Sequence, residues 1–306
     1  MAPAYLDAYA GVMSHDPGHP SAEALASPDY WRSVCPELTV SERGYPYRDG
    51  VDTRPLEPLL DQIHEGGFFH GDGFELVQEP MVSALREAIY ELEEQGLGAP
   101  YVFVFDEAWR LFARLAPLAD RILGANHAVL PNLWAWHVRP GPNNAGWRRH
   151  RDNAVATGPD GELGRFTLWV PLTDTDITNG CIVVEPLPDA QGCDPIPMLT
   201  LRYGGLPLAA KAGTVLGWRQ DLWHRGARST ERAQGPRISL SIEFENDRVP
   251  SSPRRLKSRW IPPFAQRLQL IGDAFLRYFK FLDVGPNGEY AVEAIKVAGQ
   301  LAQDPP

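Results

Sequence analysis

The stretch Gly146-Trp147-Arg148-Arg149-His150-Arg151-Asp152-Asn153 places a histidine and a carboxylate two residues apart. On extended chain, side chains at i and i+2 leave from the same face, so imidazole and carboxylate can converge on one point. A second histidine, His224, lies in Gly217-Trp218-Arg219-Gln220-Asp221-Leu222-Trp223-His224. Two histidines and one carboxylate on one side of an ion make the facial triad that suits Fe(II) and leaves positions open. H-x-D alone is a weak signal, because a lone histidine is more often a hydrogen-bonded surface or core residue. Further along come Arg237, Ile238 and Ser239 in an alternating run, so Arg237 and Ser239 share a face. A guanidinium and a hydroxyl together can hold a carboxylate, and an inward arginine without an anion would be costly. The competing reading makes Arg237 a surface residue of an edge strand.

Other residues line up around this set. Asn132, Trp134 and Trp136 alternate with Leu133, Ala135 and His137, which puts two indoles and an amide on one face. They form part of a ligand wall, with Asn132 as its polar contact, or they fill the interior of the fold. Trp134, Trp147, Arg148, Asn153, Trp169 and Trp218 are the substrate-facing candidates. The turn-rich segment from Gly141 to Gly146 reads as a lid over the site. Arg139, Arg148, Arg149, Arg151, Arg219, Arg225 and Arg228 crowd the same segments. They either recognise an anionic group on a substrate or pair with Asp174, Asp176, Asp221 and other acids. His15, His19, His64, His70, His127 and His137 lack partner spacing and read as structural or surface residues.

The elements that must position these residues follow from composition and periodicity. The chain has 306 residues, 43% hydrophobic and 22% charged, with a formal net charge of -10. These values exclude a disordered chain, a collagen-like fibre and a coiled coil. Residues 1–130 hold 21 acids and 8 bases, while residues 131–306 hold 18 acids and 21 bases. The acidic front argues against nucleic acid as a partner, since phosphate contacts need lysine and arginine. Three cysteines in no metal or disulfide spacing point to a reducing cytoplasm. Cys181 reads as a small core residue. The first 13 residues lack the basic start of a signal peptide, and no apolar run is long enough to span a membrane.

Residues 1–55 read as an irregular arm with a short helix near Ser27–Val34, and residues 56–124 as a helical front. Leu56, Leu59, Leu60 and Ile63 recur at helical spacing before Gly66-Gly67. Pro80 opens a helix to about Gly96 with Leu85, Ile89 and Leu92 on its apolar face. Asp106 caps a third helix, which Pro117 should kink or break. Gly71-Asp72-Gly73 reads as a hairpin turn. From 125 to 250 the pattern turns to short strands: His127–Val138, Arg165–Leu172, Cys181–Glu185, Met198–Arg202, Thr214–Trp218 and Ile238–Phe244. Asn179-Gly180 is a tight-turn signal between two of them. Residues 251–306 return to helical spacing through Leu268, Ile271, Phe275, Tyr278 and Phe279. The tail helix around Leu268–Phe281 offers a dimer face or a lid, and the oligomeric state stays open. The expected architecture is one domain, residues 1–306, with an all-β core and flanking helices (α+β).

The order H-x-D, a later histidine and R-x-S among short strands resembles the Fe(II)/2-oxoglutarate dioxygenases. Within them the chain is most similar to the phytanoyl-CoA dioxygenase-like family. Phe166-Thr167-Leu168-Trp169-Val170-Pro171-Leu172-Thr173-Asp174, then Asn179-Gly180-Cys181-Ile182-Val183-Val184-Glu185-Pro186, resemble that family's strand, turn and strand. Ala212-Gly213-Thr214 ahead of His224 and the Leu59–Phe68 entry also fit, so the likeness spans about residues 56–245. Two departures stand out. Glu185-Pro186-Leu187-Pro188-Asp189-Ala190 replaces a Pro-Gly-Ser-His turn, and Arg151 stands where glutamine is common.

The resemblance implies a double-stranded β-helix (jelly-roll, cupin-like). It implies Fe(II) on His150, Asp152 and His224, and 2-oxoglutarate on Arg237, assisted by Ser239 and Asn132. It implies oxidation by O₂ of an unactivated C–H in a small metabolite of secondary metabolism, with release of succinate and CO₂; the arginine cluster adds an anionic substrate as one reading. Hydroxylation fits better than halogenation, because related halogenases lack the carboxylate that Asp152 supplies. Two alternatives stay open at this point: a cupin-like metalloenzyme that does not use 2-oxoglutarate, and a non-catalytic barrel that binds a partner.

Overall fold

The computed structural model describes residues 20–74, 76–187, 204–250, 252 and 254–278. They fall into two compact units. The first comprises the described parts of Met1–Pro46, Glu87–Trp109 and Ile261–Pro306, and the second Tyr47–Arg86 and Arg110–Trp260.

The helices are α1 (Ala22–Ala26), α2 (Pro28–Val34), α3 (Glu57–Glu65), α4 (Glu79–Glu94), α5 (Asp106–Arg114), α6 (Ala116–Leu123) and α7 (Phe264–Tyr278). Apart from α1, which the sequence did not single out, they lie where helical spacing was read. Proline at the start of α2 and of α6 costs no hydrogen bond, because the first N–H groups of a helix lack partners anyway. Pro117 does break the third predicted helix, into α5 and α6. Asp106 opens α5, but its carboxylate serves as more than a cap. It accepts from Ser41 N, Ser41 Oγ and Tyr45 Oη, and Arg267 Nη1 donates to it at 2.6 Å. The same guanidinium donates to the carbonyls of Ser41, Val104 and Pro262. Both side chains are fully buried, and each is saturated with partners. Around this knot, Trp31 stacks on Tyr101, which meets Phe275 of α7. Leu268, Ile271 and Phe275 on the apolar face of α7 are buried.

The second unit holds the sheets. Its strands are β2 (Phe68–His70), β3 (Ala128–Val138), β4 (Arg165–Pro171), β5 (Ile182–Val184), β6 (Leu206–Leu208), β7 (Leu216–Arg219), β8 (His224–Gly226) and β9 (Arg237–Glu245). Two-residue strands β1 (Tyr45–Pro46) and β10 (Trp260–Ile261) complete the described set. Five strands form one sheet in the order β2-β7-β4-β9-β3, and three form another in the order β6-β5-β8. Every pairing in both sheets is antiparallel. Phe68, Trp169, Leu216 and Trp218 from the larger sheet pack with Ile182, Val184 and Leu208 from the smaller one. Each of those apolar side chains is buried, which is the main favourable term for closing the sheets together. On the outer side α3 buries Leu59, Leu60 and Ile63.

Of the strands expected between 125 and 250, β3, β4, β5, β7 and β9 are present, whereas β2, β6 and β8 were not singled out. Gly71-Asp72-Gly73 is a turn, but not a hairpin: β2 pairs with β7, about 150 residues on. Asn179-Gly180 is the turn its sequence signals, between β4 of the larger sheet and β5 of the smaller. Gly180 takes φ +96°, and a Cβ there would lie 2.8 Å from the Ala227 carbonyl oxygen, so glycine is required twice over. The 141–146 segment, expected as a lid, is tied down by main-chain bonds from Gly141 N to Thr230 O and from Ser229 N to Asn144 O. The predicted strand Met198–Arg202, Cys193, residues 1–19 of the arm with His15 and His19, and the tail beyond Tyr278 lie outside the described residues.

Candidate metal centre

His150 and His224 face each other through a reciprocal pair of backbone bonds, His150 N to His224 O at 2.9 Å and His224 N to His150 O at 3.0 Å. This is an isolated antiparallel bridge rather than a strand, so the expected strand under H-x-D is absent. The two side chains still converge: His150 Nε2 lies 3.4 Å from Asp152 Oδ1. Gly226 N bonds Trp147 O on one side of the bridge, and Asn153 N bonds Gln220 O on the other.

Each imidazole is oriented by its own neighbourhood. His150 Nδ1 sits 2.7 Å from the Arg148 carbonyl, and His224 Nδ1 sits 3.1 Å from the Leu222 carbonyl. A carbonyl only accepts, so both Nδ1 atoms carry a proton, which leaves each Nε2 as the nitrogen that can offer a lone pair to an ion. These Nε2 atoms stand 3.4 and 3.5 Å from one oxygen, Asp152 Oδ1. Among the described residues this is the one group of three such side chains, with ligand atoms all within 4.8 Å of one another. Burial alone would lift the Asp152 carboxyl, but the two imidazoles outweigh it and hold it well below the ordinary carboxylate range. Burial also works against a charged His224, and the facing carboxylate overcomes it and holds that imidazole above its usual value. Two nitrogens and one carboxylate oxygen, already converged and aimed at each other, suit a divalent transition metal.

The β9 inner face carries Arg237, Ser239, Ser241, Glu243 and Glu245 in register opposite β3 and β4. Arg237 is 1% exposed and Ser239 fully buried, so the edge-strand reading of Arg237 fails. Arg237 Nη1 donates to Gly180 O at 2.8 Å. Its Nε and Nη2, and Ser239 Oγ, find no partner among the described residues. Burial pulls this guanidinium down to about 10. Gly146 and Gly226 make room for it. A Cβ on Gly146 would lie 2.7 Å from Arg237 Nη2, and one on Gly226 would lie 3.0 Å from Nη1. Neither glycine stood out in the sequence, because nothing local marks a close approach across strands.

The remaining candidates divide. Trp134 and Trp147 meet at 5.7 Å between ring centres, Trp136 and Trp147 at 5.3 Å, and Trp147 reaches His150 at 5.6 Å. Trp136 Nε1 and Trp169 Nε1 are buried donors with no partner among the described residues. Trp218 does not offer its indole N–H to a substrate: it donates to Asp152 Oδ2 at 3.0 Å. Asn132 Nδ2 donates to Glu243 at 2.6 Å, as Gln220 does at 3.0 Å. Asn153 Oδ1 accepts from Val155 N within its own turn. Thr167, which the sequence did not single out, donates to Asp152 Oδ2 at 2.7 Å.

Much of the arginine cluster is internally paired. Arg149 grips Glu185 with two nitrogens and lies 3.8 Å over the Trp223 ring, which Arg151 also covers at 4.8 Å. Arg219 holds Asp221, and Arg225 donates to Gly204 O. Asp221 is thus one of the acids expected to neutralise them, while the other two do different work. Asp174 pairs with Lys211, and Asp176 anchors the turn at Thr178 and Asn179. Arg148 is exposed. His70 and His127 bond main-chain carbonyls, as structural histidines do.

No protein-family model and no curated protein matches the chain. Among solved structures it is similar to EvdMO1, at 22% identity and TM-score 0.49 over 63% of this chain and 50% of that one. The matched part thus spans half the length of EvdMO1. It is also similar to the nickel complex of ThoJ, described as a non-heme monooxygenase, at 19% identity and TM-score 0.49 over 72% of this chain and 97% of that one. A third is SnoN, described as a non-heme alpha ketoglutarate dependent epimerase from nogalamycin biosynthesis. It matches at 22% identity and TM-score 0.46 over 64% of this chain and 82% of that one. Among the described residues no helix is long and apolar enough to cross a membrane.

Proposed function

We propose that this chain is an Fe(II)- and 2-oxoglutarate-dependent oxygenase, whose two antiparallel sheets are the halves of a double-stranded β-helix. It acts on an unactivated C–H of a small metabolite. The observation that supports it best is the buried Arg237 with two N–H groups unpaired, beside the unpaired Ser239 hydroxyl, in the same unit as the His150, Asp152 and His224 set. A buried cation with free donors is costly by itself, and a carboxylate is the partner that relieves it. A metal triad next to a carboxylate receptor fits a metal-chelating keto acid with a second carboxylate.

The donor set fits the ion: two Nε2 lone pairs and Asp152 Oδ1 would hold it on one side. When bound, iron with 2-oxoglutarate and O₂ supplies the oxidising power that breaks a C–H bond, with succinate and CO₂ as co-products. The chain's own share is placement. Arg148 O and Leu222 O fix the imidazole tautomers, and Arg237 with Ser239 would anchor the far carboxylate. Trp134, Trp136 and Trp147 wall the space beside His150 and keep water from it. Asp152 keeps the carboxylate that halogenases lack, which favours hydroxylation or a related C–H oxidation. Arg148 is the arginine best placed in sequence to meet an anionic substrate.

The test is succinate release and O₂ uptake with a panel of small metabolites. Both should require Fe(II) and 2-oxoglutarate together. Turnover by metal-loaded protein that ignores 2-oxoglutarate would overturn the reading.

A further inference from the structure

Asp152 Oδ2, the oxygen turned away from the imidazoles, is held from two sides. Thr167 Oγ1 donates to it at 2.7 Å and Trp218 Nε1 at 3.0 Å. The two donors are direct register partners on β4 and β7, so one cross-strand pair presents both. Thr167 is 3% exposed and Trp218 2%, which leaves water little access to either group. Oδ1 is the oxygen that faces His150 Nε2 and His224 Nε2.

We infer that Thr167 and Trp218 are positioning residues that fix Asp152 as a one-oxygen metal ligand through Oδ1 and thereby set metal affinity. This rests on the metal reading above. A carboxylate on a short side chain can turn to offer either oxygen or both. Each oxygen has about two lone-pair directions, and on Oδ2 the hydroxyl and the indole N–H occupy both. Rotation about the Cβ–Cγ bond would break two charge-assisted hydrogen bonds in a buried place, so Oδ1 stays toward the imidazoles. Ligation by a single oxygen leaves one more coordination position free than ligation by both, which an enzyme binding a chelating cosubstrate and O₂ needs. Donors that orient ligands from behind commonly carry 10–100-fold in metal affinity.

The experiment uses the full chain and Mn(II) as probe, followed by electron paramagnetic resonance titration without O₂, with Co(II) visible absorption as a second readout. Thr167→Val removes the hydroxyl at nearly constant shape, and Trp218→Phe removes the indole N–H. Each should weaken Mn(II) binding on the order of 10–100-fold. Thr167→Ser, which keeps the hydroxyl, should restore wild-type binding. The Co(II) bands of Thr167→Val should weaken as Asp152 becomes free to bind through both oxygens. A merely structural role would lower the melting temperature of metal-free protein without moving these bands, and Thr167→Ser would not rescue it. Wild-type Mn(II) affinity and Co(II) bands in Thr167→Val would overturn the inference even if Trp218→Phe misfolds. Wild-type protein that binds neither ion would overturn the metal reading itself, and this inference with it.

Discussion

Replacing Arg237 with methionine should make the metal-free protein more stable while removing its response to 2-oxoglutarate. The guanidinium is buried, and burial draws it well below its ordinary value, to about 10. At about 1.4 kcal/mol per tenfold, the fold holds this charge at a cost of roughly 3 kcal/mol. The sign follows from linkage: a base whose folded-state value is depressed is charged at neutral pH in both states, so the cost is present there. It would vanish only above the folded-state value, where the folded protein sheds the proton. Methionine removes the charge and keeps most of the stem. It also loses the bond to Gly180 O, and a buried carbonyl left alone costs about 1–3 kcal/mol. The net expectation is a gain of about 1 kcal/mol, or roughly 2–4 °C in melting temperature for a unit of this size. Wild-type protein with Mn(II) and 2-oxoglutarate at 100 times its dissociation constant should rise by about 2.7 kcal/mol. The variant should not rise with the keto acid. Thermal unfolding of both proteins, with and without ligand, reads all four values. A variant clearly less stable than metal-free wild type would mean that Arg237 is a structural cation. A variant that keeps its response to 2-oxoglutarate would mean that the carboxylate binds elsewhere.

Gly146→Ala should weaken 2-oxoglutarate binding and destabilise by about 1–3 kcal/mol, because the new methyl meets Arg237 Nη2 at 2.7 Å. The Gly146→Ala, Arg237→Met pair should recover most of that stability, whereas Gly226→Ala, which strikes the Gly146 backbone, should not recover with Arg237→Met. His224→Ala should abolish Mn(II) binding by calorimetry while leaving helical circular dichroism intact. Arg267→Met should cost about 3–5 kcal/mol in denaturant unfolding, since it strands the buried Asp106 carboxylate. Asp106 sits below the ordinary carboxylate range: burial would lift it, but Arg267 and the Ser41 and Tyr45 donors prevail. Its contribution is therefore full above the unfolded-state value and fades as pH falls through the lower folded-state value. Wild type and Asp106→Asn should converge in stability on acidification, and a constant gap would refute that pairing.

The triad and Arg237 were legible because their signals are short and periodic. Two-residue spacing survives even where the strand beneath His150 and Asp152 reduces to a single bridge. The helices were legible for the same reason, with Pro117 marking the break between α5 and α6. What sequence could not show depends on pairings between distant strands. Thr167 and Trp218 become partners of Asp152 only through the β4–β7 register, and nothing in either residue's neighbours announces it. The Gly146 and Gly226 approach to Arg237 is likewise a three-segment event. The arginine cluster misled in part because charge density in sequence says nothing of pairing. Arg219 is spoken for by Asp221, two residues on and among the acids the sequence offered, but Arg149 is spoken for by Glu185, which no spacing would select.

The backbone bridge between His150 and His224 has a consequence for how metal is acquired. The two residues are separated by about 70 positions, and in an unfolded chain bringing such ends together costs on the order of 4 kcal/mol. Here two main-chain bonds hold them together. These bonds use backbone groups and not the imidazoles or the carboxylate that would hold an ion, so closing this loop does not call on the ligand side chains. The site would exist before loading, so metal would arrive as a late and exchangeable passenger. Stripping it with a chelator and refilling it with a different divalent ion should leave the same folded protein at every stage.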